Sequence, residues 1–362
     1  MSYRKIFVAI AAAAMTLNVC AQQTKMLTAD KHNEYGLVYT LPITGLDIEV
    51  TAQRTVRKAG PYYQYAKKFI GTDKVIKEDS ESWTITGVNV TPYGVPDSDK
   101  RYLMQLKNGS LTSICVDDNG MLRAINREVE AESVDSPSAE PQNGTKEKID
   151  INEYLQYVNE DFIASQSSAK RAQMLAENLM EIREAKVALT RGTAETMPTD
   201  GKQLELMLNS LSHQEAALTA AFIGTEETET VTSSYTYFPK NDGREILFRM
   251  SDFAGFVASD DYSGDPVYIN VKVTNRGKLP VDQKGEEKKL PKDAVIYNVP
   301  GAALISVTTL GRSLYEREFE FSQFGMQFGL NPALFSAKKG RSYAVFNPVT
   351  GALEDIREEN DN

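Results

Sequence analysis

The stretch 128–148 (EVEAESVDSPSAEPQNGTKEK) carries almost no residue able to anchor a core, and the hydrophobic period differs on its two sides. Before it, apolar residues alternate with polar ones, the period of a strand with one wet face. In 46–51, Leu46, Ile48 and Val50 face away from Asp47, Glu49 and Thr51. After it the period becomes helical: Leu175, Leu179, Ile182 and Leu189 recur at helix spacing, and Arg191-Gly192 closes the run. Asp200-Gly201 opens a second helix carrying Leu204, Met207, Leu208, Leu211, Leu218 and Phe222, and the short connection predicts an antiparallel helical hairpin. Strand patterns return from Thr225. The expected fold is therefore α+β and β-rich: two sandwich-like β units, residues 35–127 and 225–362, joined through an acidic linker at 128–149 and a helical hairpin at 150–224.

Within the first unit, strands are expected at 35–50, interrupted by Pro42 and Gly45, and at 82–91, 102–106, 111–117 and 121–127, with Asp118-Asn119-Gly120 forming a tight turn. Pro61 and Gly71 frame a helix of two to three turns, whose Tyr62, Tyr65 and Phe69 share a face. In the second unit, strands are expected at 231–238, 245–250, 267–273, 294–299, 303–309, 313–321 and 342–347. Leu37-Val38-Tyr39-Thr40-Leu41-Pro42 followed by Leu46 is echoed by Val295-Ile296-Tyr297-Asn298-Val299-Pro300 followed by Leu304, which suggests a duplicated β unit.

The chain opens with Arg4 and Lys5, an apolar run over 6–19, and small residues before Gln22, the pattern of a secretory signal peptide spanning residues 1–21. Residues 22–34 read as a flexible leader. Cys20 invites comparison with a lipoprotein signal, but Val19 stands where such signals want a small residue, so a lipid anchor is not expected. Cleavage after Ala21 leaves 362 − 21 = 341 residues and removes two positive charges, taking the formal charge from -10 to -12. It also leaves Cys115 as the sole thiol, in an apolar run where an inert buried side chain is expected, so stability rests on a core and not on disulfides. The acidic balance argues against nucleic acid as a partner. No later stretch reaches the eighteen or so apolar residues of a transmembrane helix.

Chemistry is sparse. His32 lies in the leader and His213 on the second long helix, with no second histidine at metal-ligand spacing; neither supports a serine triad. No phosphate-cradling glycine loop appears, and no catalytic residue, cofactor site or metal site is assigned. The run Asp260-Asp261-Tyr262-Ser263-Gly264-Asp265 resembles a calcium loop superficially but lacks the alternating ligands and closing glutamate, so a turn is expected. Two carboxylates flanking a glycosidic bond would make an envelope hydrolase acting on glycans, although no pair is indicated. Tyr62, Tyr63 and Tyr65 are candidate binding residues for a sugar or peptide, against the alternative that their helix plugs a sheet end. The stretch 313–328 (SLYEREFEFSQFGMQF) reads as a sheet edge or interface.

Val38-Tyr39-Thr40-Leu41-Pro42, the segments 60–66 (GPYYQYA) and 90–97 (VTPYGVPD), Asp200-Gly201, 218–224 and Val299-Pro300-Gly301 resemble an uncharacterised family of exported Bacteroidota proteins, a domain of unknown function. The likeness spreads over most of the mature chain. It implies a Gram-negative envelope address, periplasmic or outer-membrane associated, and brings no activity, ligand or catalytic residue. The reading that follows is a non-enzymatic binding or assembly component, with a hydrolase as the alternative. Its partner would be an unknown envelope protein or a glycan, and a leftover apolar stripe on the hairpin would allow a homo-oligomer.

Overall fold

The computed structural model describes residues 37–104, 113–129, 148–291, 294–335 and 341–359. The expected signal peptide with Cys20, the expected 22–34 leader with His32 and most of the expected acidic linker lie outside the described residues. In chain order the elements are β1 (Leu37–Lys58), α1 (Ala66–Ile70), β2 (Ser80–Met104), β3 (Ile114–Val116), β4 (Leu122–Ile125), α2 (Glu160–Ala164), α3 (Ser168–Arg191), α4 (Gly201–Ile223), β5 (Thr225–Tyr237) and β6 (Gly243–Ser251). They continue as β7 (Gly255–Val257), β8 (Asp265–Asn275), β9 (Val295–Thr309), β10 (Arg312–Leu330), β11 (Arg341–Phe346) and β12 (Leu353–Glu359). The fold is α+β and β-rich, with antiparallel sheets ordered β2-β1-β5, β10-β9-β8-β6-β7 and β12-β11-β4-β3.

Prolines do not end the long strands, contrary to the sequence expectation at Pro42. In the β1–β2 ladder Thr40 faces Arg101 but Pro42 faces Pro96, so residues 97–100 bulge out opposite Leu41. In the β9–β10 ladder Gly301 faces Phe321 but Val299 faces Met326, so residues 322–325 bulge opposite Pro300. A proline has no N–H for the ladder and is tolerated where the ladder is already broken. The segments expected as two strands on either side of Pro300, and on either side of Pro96, are thus single strands bent at a bulge.

The second bulge meets β1 beside Pro42. Thr44 N–H donates to Ser322 Oγ and Ser322 N–H donates to Thr44 Oγ1, both at 3.2 Å. Gln323 Nε2 donates to Thr44 O at 2.9 Å and to Pro239 O at 3.1 Å. Asn298 Nδ2 donates to Pro42 O at 3.1 Å and to Thr350 O at 2.8 Å. Close approach explains Gly325, where a Cβ would lie 2.0 Å from Val299 O.

This buried polar junction separates two apolar cores. The first packs Leu46, Ile48, Val50 and Val90 against Phe248, Val267, Ile269, Ile305, Val307 and Phe321. The second gathers Tyr39, Leu41, Leu122 and Ile125 with Val295, Tyr297, Phe328 and Phe346. Each fully buried aliphatic or aromatic side chain contributes roughly 1.5–3 kcal/mol, and β1 and β9 supply residues to both cores.

A third core is helical. Ser167 Oγ accepts from Lys170 N–H at the start of α3, and Gly192 ends it at φ 71°. The Asp200 carboxylate accepts from Gln203 N–H at 2.8 Å to cap α4. Leu175, Leu179 and Ile182 share this core with Leu218, Ala221 and Phe222, while Arg183 and Lys186 both reach Glu215 at 2.8 and 2.7 Å. The helix expected over 61–70 is shorter: a 3-10 turn at Tyr63–Tyr65 runs into α1, and Gly71 stops it at φ 75°.

Candidate binding surface

The three candidate tyrosines stand in different surroundings. Tyr62 is 6% exposed and sits in the helical core, edge-on to Tyr154 at 5.9 Å and to Phe162 at 6.3 Å. Its N–H donates to Ala221 O at 2.9 Å, which ties the β1–β2 connection to α4. Tyr63 is half-buried and its hydroxyl accepts from Gln64 Nε2 at 3.4 Å. Tyr65, also half-buried, hydrogen-bonds Ser168 at 3.1 Å and packs on Phe69. Tyr62 thus works as an anchor, and only Tyr63 and Tyr65 keep partly wet rings.

The groups with chemical potential are engaged elsewhere. His213 Nε2 meets the Glu153 carboxylate, joining α4 to the 153–157 turn. Cys115 is buried. Lys186, then Arg183, hold the Glu215 carboxyl below its ordinary range, and Arg54 does the same to Glu81. Both shifts run opposite to the upward one a catalytic general acid needs. Among the described residues no group of three or more His, Cys, Asp or Glu side chains is placed to hold a metal.

The 260–265 loop is organised by a cation of the protein itself. Arg249 Nε donates to Ser259 O at 2.9 Å and Nη1 to Gly264 O at 3.0 Å, and its guanidinium lies 4.8 Å from the Tyr262 ring centre. Ser263 N–H donates to the Asp261 carboxylate at 2.9 Å, and this bond holds its carboxyl below the usual range.

That loop belongs to a surface the periodicity did not reveal. Thr309 pairs with both Arg312 and Val267, Met250 with Asp265, and Ser251 with Gly255. The β6–β7 turn, the β7–β8 loop and the β9–β10 turn therefore emerge at one end of the five-stranded sheet. Each presents a large apolar side chain to solvent: Phe253 at 82%, Tyr262 at 86% and Leu310 at 75% exposure. Ser251 Oγ accepts from the N–H groups of Phe253 and Ala254, both at 3.4 Å, so the first turn is fixed and not frayed. Leu310-Gly311 forms a two-residue hairpin turn with φ 45° and 78°, the left-handed values that favour Asn-Gly. Around these residues the side chains of Asp252, Asp260, Asp261 and Asp265 are exposed, with Arg312 as the exposed cation beside them. A Leu-Gly pair at a hairpin tip is the one signal in the sequence that points here.

The model of a domain of unknown function, DUF4831, matches residues 35–354. The chain belongs to this family. No curated protein and no solved structure matches it. The DUF4831 match takes in all three cores, the polar junction and the three apolar loops, so the exposed sheet end is part of the domain itself.

Proposed function

We propose that this chain is an exported cell-envelope protein, periplasmic or outer-membrane associated, that acts as a non-enzymatic binding or assembly component. The address rests on the leader pattern of residues 1–21 and on the resemblance to exported Bacteroidota proteins; no helix among the described residues is long and apolar enough to cross a membrane. The binding role rests on one observation: Phe253, Tyr262 and Leu310 stand exposed on adjacent turns of one sheet end. Three such side chains, each worth roughly 1.5–3 kcal/mol when buried, hold several kcal/mol of association energy that the isolated fold leaves unused. Tyr63 and Tyr65 form a smaller second face beside the helical core.

Crosslinking the full chain in its native cells, then co-purifying and fractionating the envelope, tests this reading. A stable envelope protein recovered stoichiometrically supports it. Recovery of the intact, uncleaved chain in the cytosol, or turnover of glycosides, esters or peptides by the purified protein, overturns it.

A further inference from the structure

Resting on that binding reading, we infer that the sheet end carrying Phe253, Tyr262 and Leu310 docks into an apolar pocket of a partner protein rimmed by lysine or arginine. Neighbouring strands lie about 4.8 Å apart, and β9 is separated from β6 only by β8, so the apolar tips span roughly 10–15 Å. That is the footprint of a pocket and not of a broad flat face. The turn at Leu310 adds a second argument. Leucine at φ 45° carries left-handed backbone strain, and its side chain recovers little by packing because it is largely exposed. A residue that is both strained and solvated stabilises nothing in the isolated chain; inside a pocket it becomes an anchor.

Charge selects the occupant. Four exposed carboxylates, Asp252, Asp260, Asp261 and Asp265, surround the apolar tips. Arg249, held by Ser259 O, Gly264 O and the Tyr262 ring, and Arg312 offset two of these four negative charges, so the loops stay net acidic. A second copy docked symmetrically would set the same acids against each other, since a two-fold contact repeats one patch on both sides. An anionic bilayer would repel them. A protein pocket with a basic rim satisfies both the apolar tips and the acids.

The test places a photocrosslinking amino acid at position 253 of the full-length chain in its native cells, and another at exposed Leu206 on α4 as a separate probe. The protein crosslinked through position 253 is purified and titrated with the wild-type chain and with Phe253→Ser, Leu310→Asn and Asp252→Lys/Asp260→Lys. The expected result is a crosslinked peptide lining an apolar pocket with Lys or Arg at its edge. Binding should fall about tenfold or more for each variant, and the wild-type affinity should fall as salt rises. All substitutions lie on exposed positions, and unchanged circular dichroism with a melting temperature no lower than wild type separates lost binding from lost folding. Capture through position 206 but not 253 overturns this inference and leaves the binding reading standing; capture through neither overturns both. Co-sedimentation with phosphatidylethanolamine–phosphatidylglycerol vesicles that Phe253→Ser abolishes, or a dimer mass by light scattering that the same change abolishes, also overturns it in favour of a lipid surface or a second copy.

Discussion

Tyr39→Phe deletes one oxygen from the second core, and its cost follows from the geometry of that oxygen. Tyr39 is 1% exposed, and its hydroxyl accepts from Ile296 N–H at 2.8 Å and donates to Ile296 C=O at 3.2 Å. At this level of the sheet β9 pairs with β10 on one side, whereas β8 pairs only with residues 302–309 of β9. The hydroxyl thus takes the place of a strand neighbour. Burial pushes the phenol far above its ordinary pKa, so it keeps its proton through the alkaline range and remains a donor. Removing it leaves a backbone N–H and C=O short of partners, at about 1–3 kcal/mol each, less what partial solvent access to Ile296 returns. The expected loss is about 2–3 kcal/mol. The ring and its 5.7 Å stack on Tyr102 are retained, so no cavity is added. Urea unfolding should show a lower midpoint with an unchanged slope. Tyr297 provides the control: it occupies the echoing sequence position in the same core, and its hydroxyl makes no hydrogen bond among the described residues. Tyr297→Phe should cost less than about 0.5 kcal/mol. A Tyr39→Phe protein within that margin of wild type, or a Tyr297→Phe protein equally destabilised, refutes the assignment.

Leu310→Asn should stabilise the isolated chain by about 0.5–1 kcal/mol, because asparagine relieves the left-handed strain at φ 45° while little buried area is lost; a lower melting temperature contradicts this. Glu215 has a depressed pKa, so its ionic contribution is present above its unfolded pKa and is lost as pH falls through the lower folded value. Wild-type stability should therefore drop more steeply below about pH 4.5 than that of Glu215→Gln, measured by denaturant midpoints across the acid range, and parallel curves would exclude the ion pairs as a source. Cys115, buried in the sheet, should react with a thiol reagent in the native state only at the rate of opening and at full speed in denaturant; rapid native labelling would overturn its inert assignment. Calcium titrated into the protein should give neither heat nor a shift in melting temperature, since Arg249 already holds Ser259 O and Gly264 O at the two ends of the loop, and a saturable heat would reverse that reading.

Local signals that carry a mechanism were legible. The Leu46, Ile48, Val50 alternation marks the core face of β1, Gly192 and Asp200 mark helix ends, and Asp118-Asn119-Gly120 turns β3 into β4 with Gly120 at φ 77°. What escaped was non-local. Pro42, Pro96 and Pro300 look like strand ends in one dimension, because the bulges that accommodate them are defined only by the partner strand. The sheet that pairs β4 with β11 joins residues more than two hundred positions apart, and each apolar core draws on both ends of the chain. The exposed sheet end escaped for a different reason. Phe253, Tyr262 and Leu310 are single apolar residues in polar turns, and apart from the Leu310-Gly311 pair nothing marks them until three loops converge.

The two echoing segments are both central strands of antiparallel triplets, although the second neighbour follows the central strand in one and precedes it in the other. β1 lies between β2 and β5 as β9 lies between β10 and β8, all antiparallel. Each central strand carries its tyrosine in the second core and its later aliphatics in the first, and each breaks register beside its proline against a bulge in the hairpin partner. The two triplets diverge at the corresponding connection. After β1 the chain runs through Tyr62, Tyr65 and α1 before β2, and this connection is buried against α3 and α4. After β9 it turns in two residues and leaves Leu310 in solvent. One triplet thus has its end covered by a helical core supplied by the same chain, whereas the other ends in exposed loops, with Leu310 at a left-handed φ and four carboxylates on the two neighbouring loops. The central strand of one triplet leads into a connection buried by the chain's own helices, and that of the other into a connection left in solvent beside Phe253 and Tyr262; this asymmetry is the physical reason to look there for a second protein.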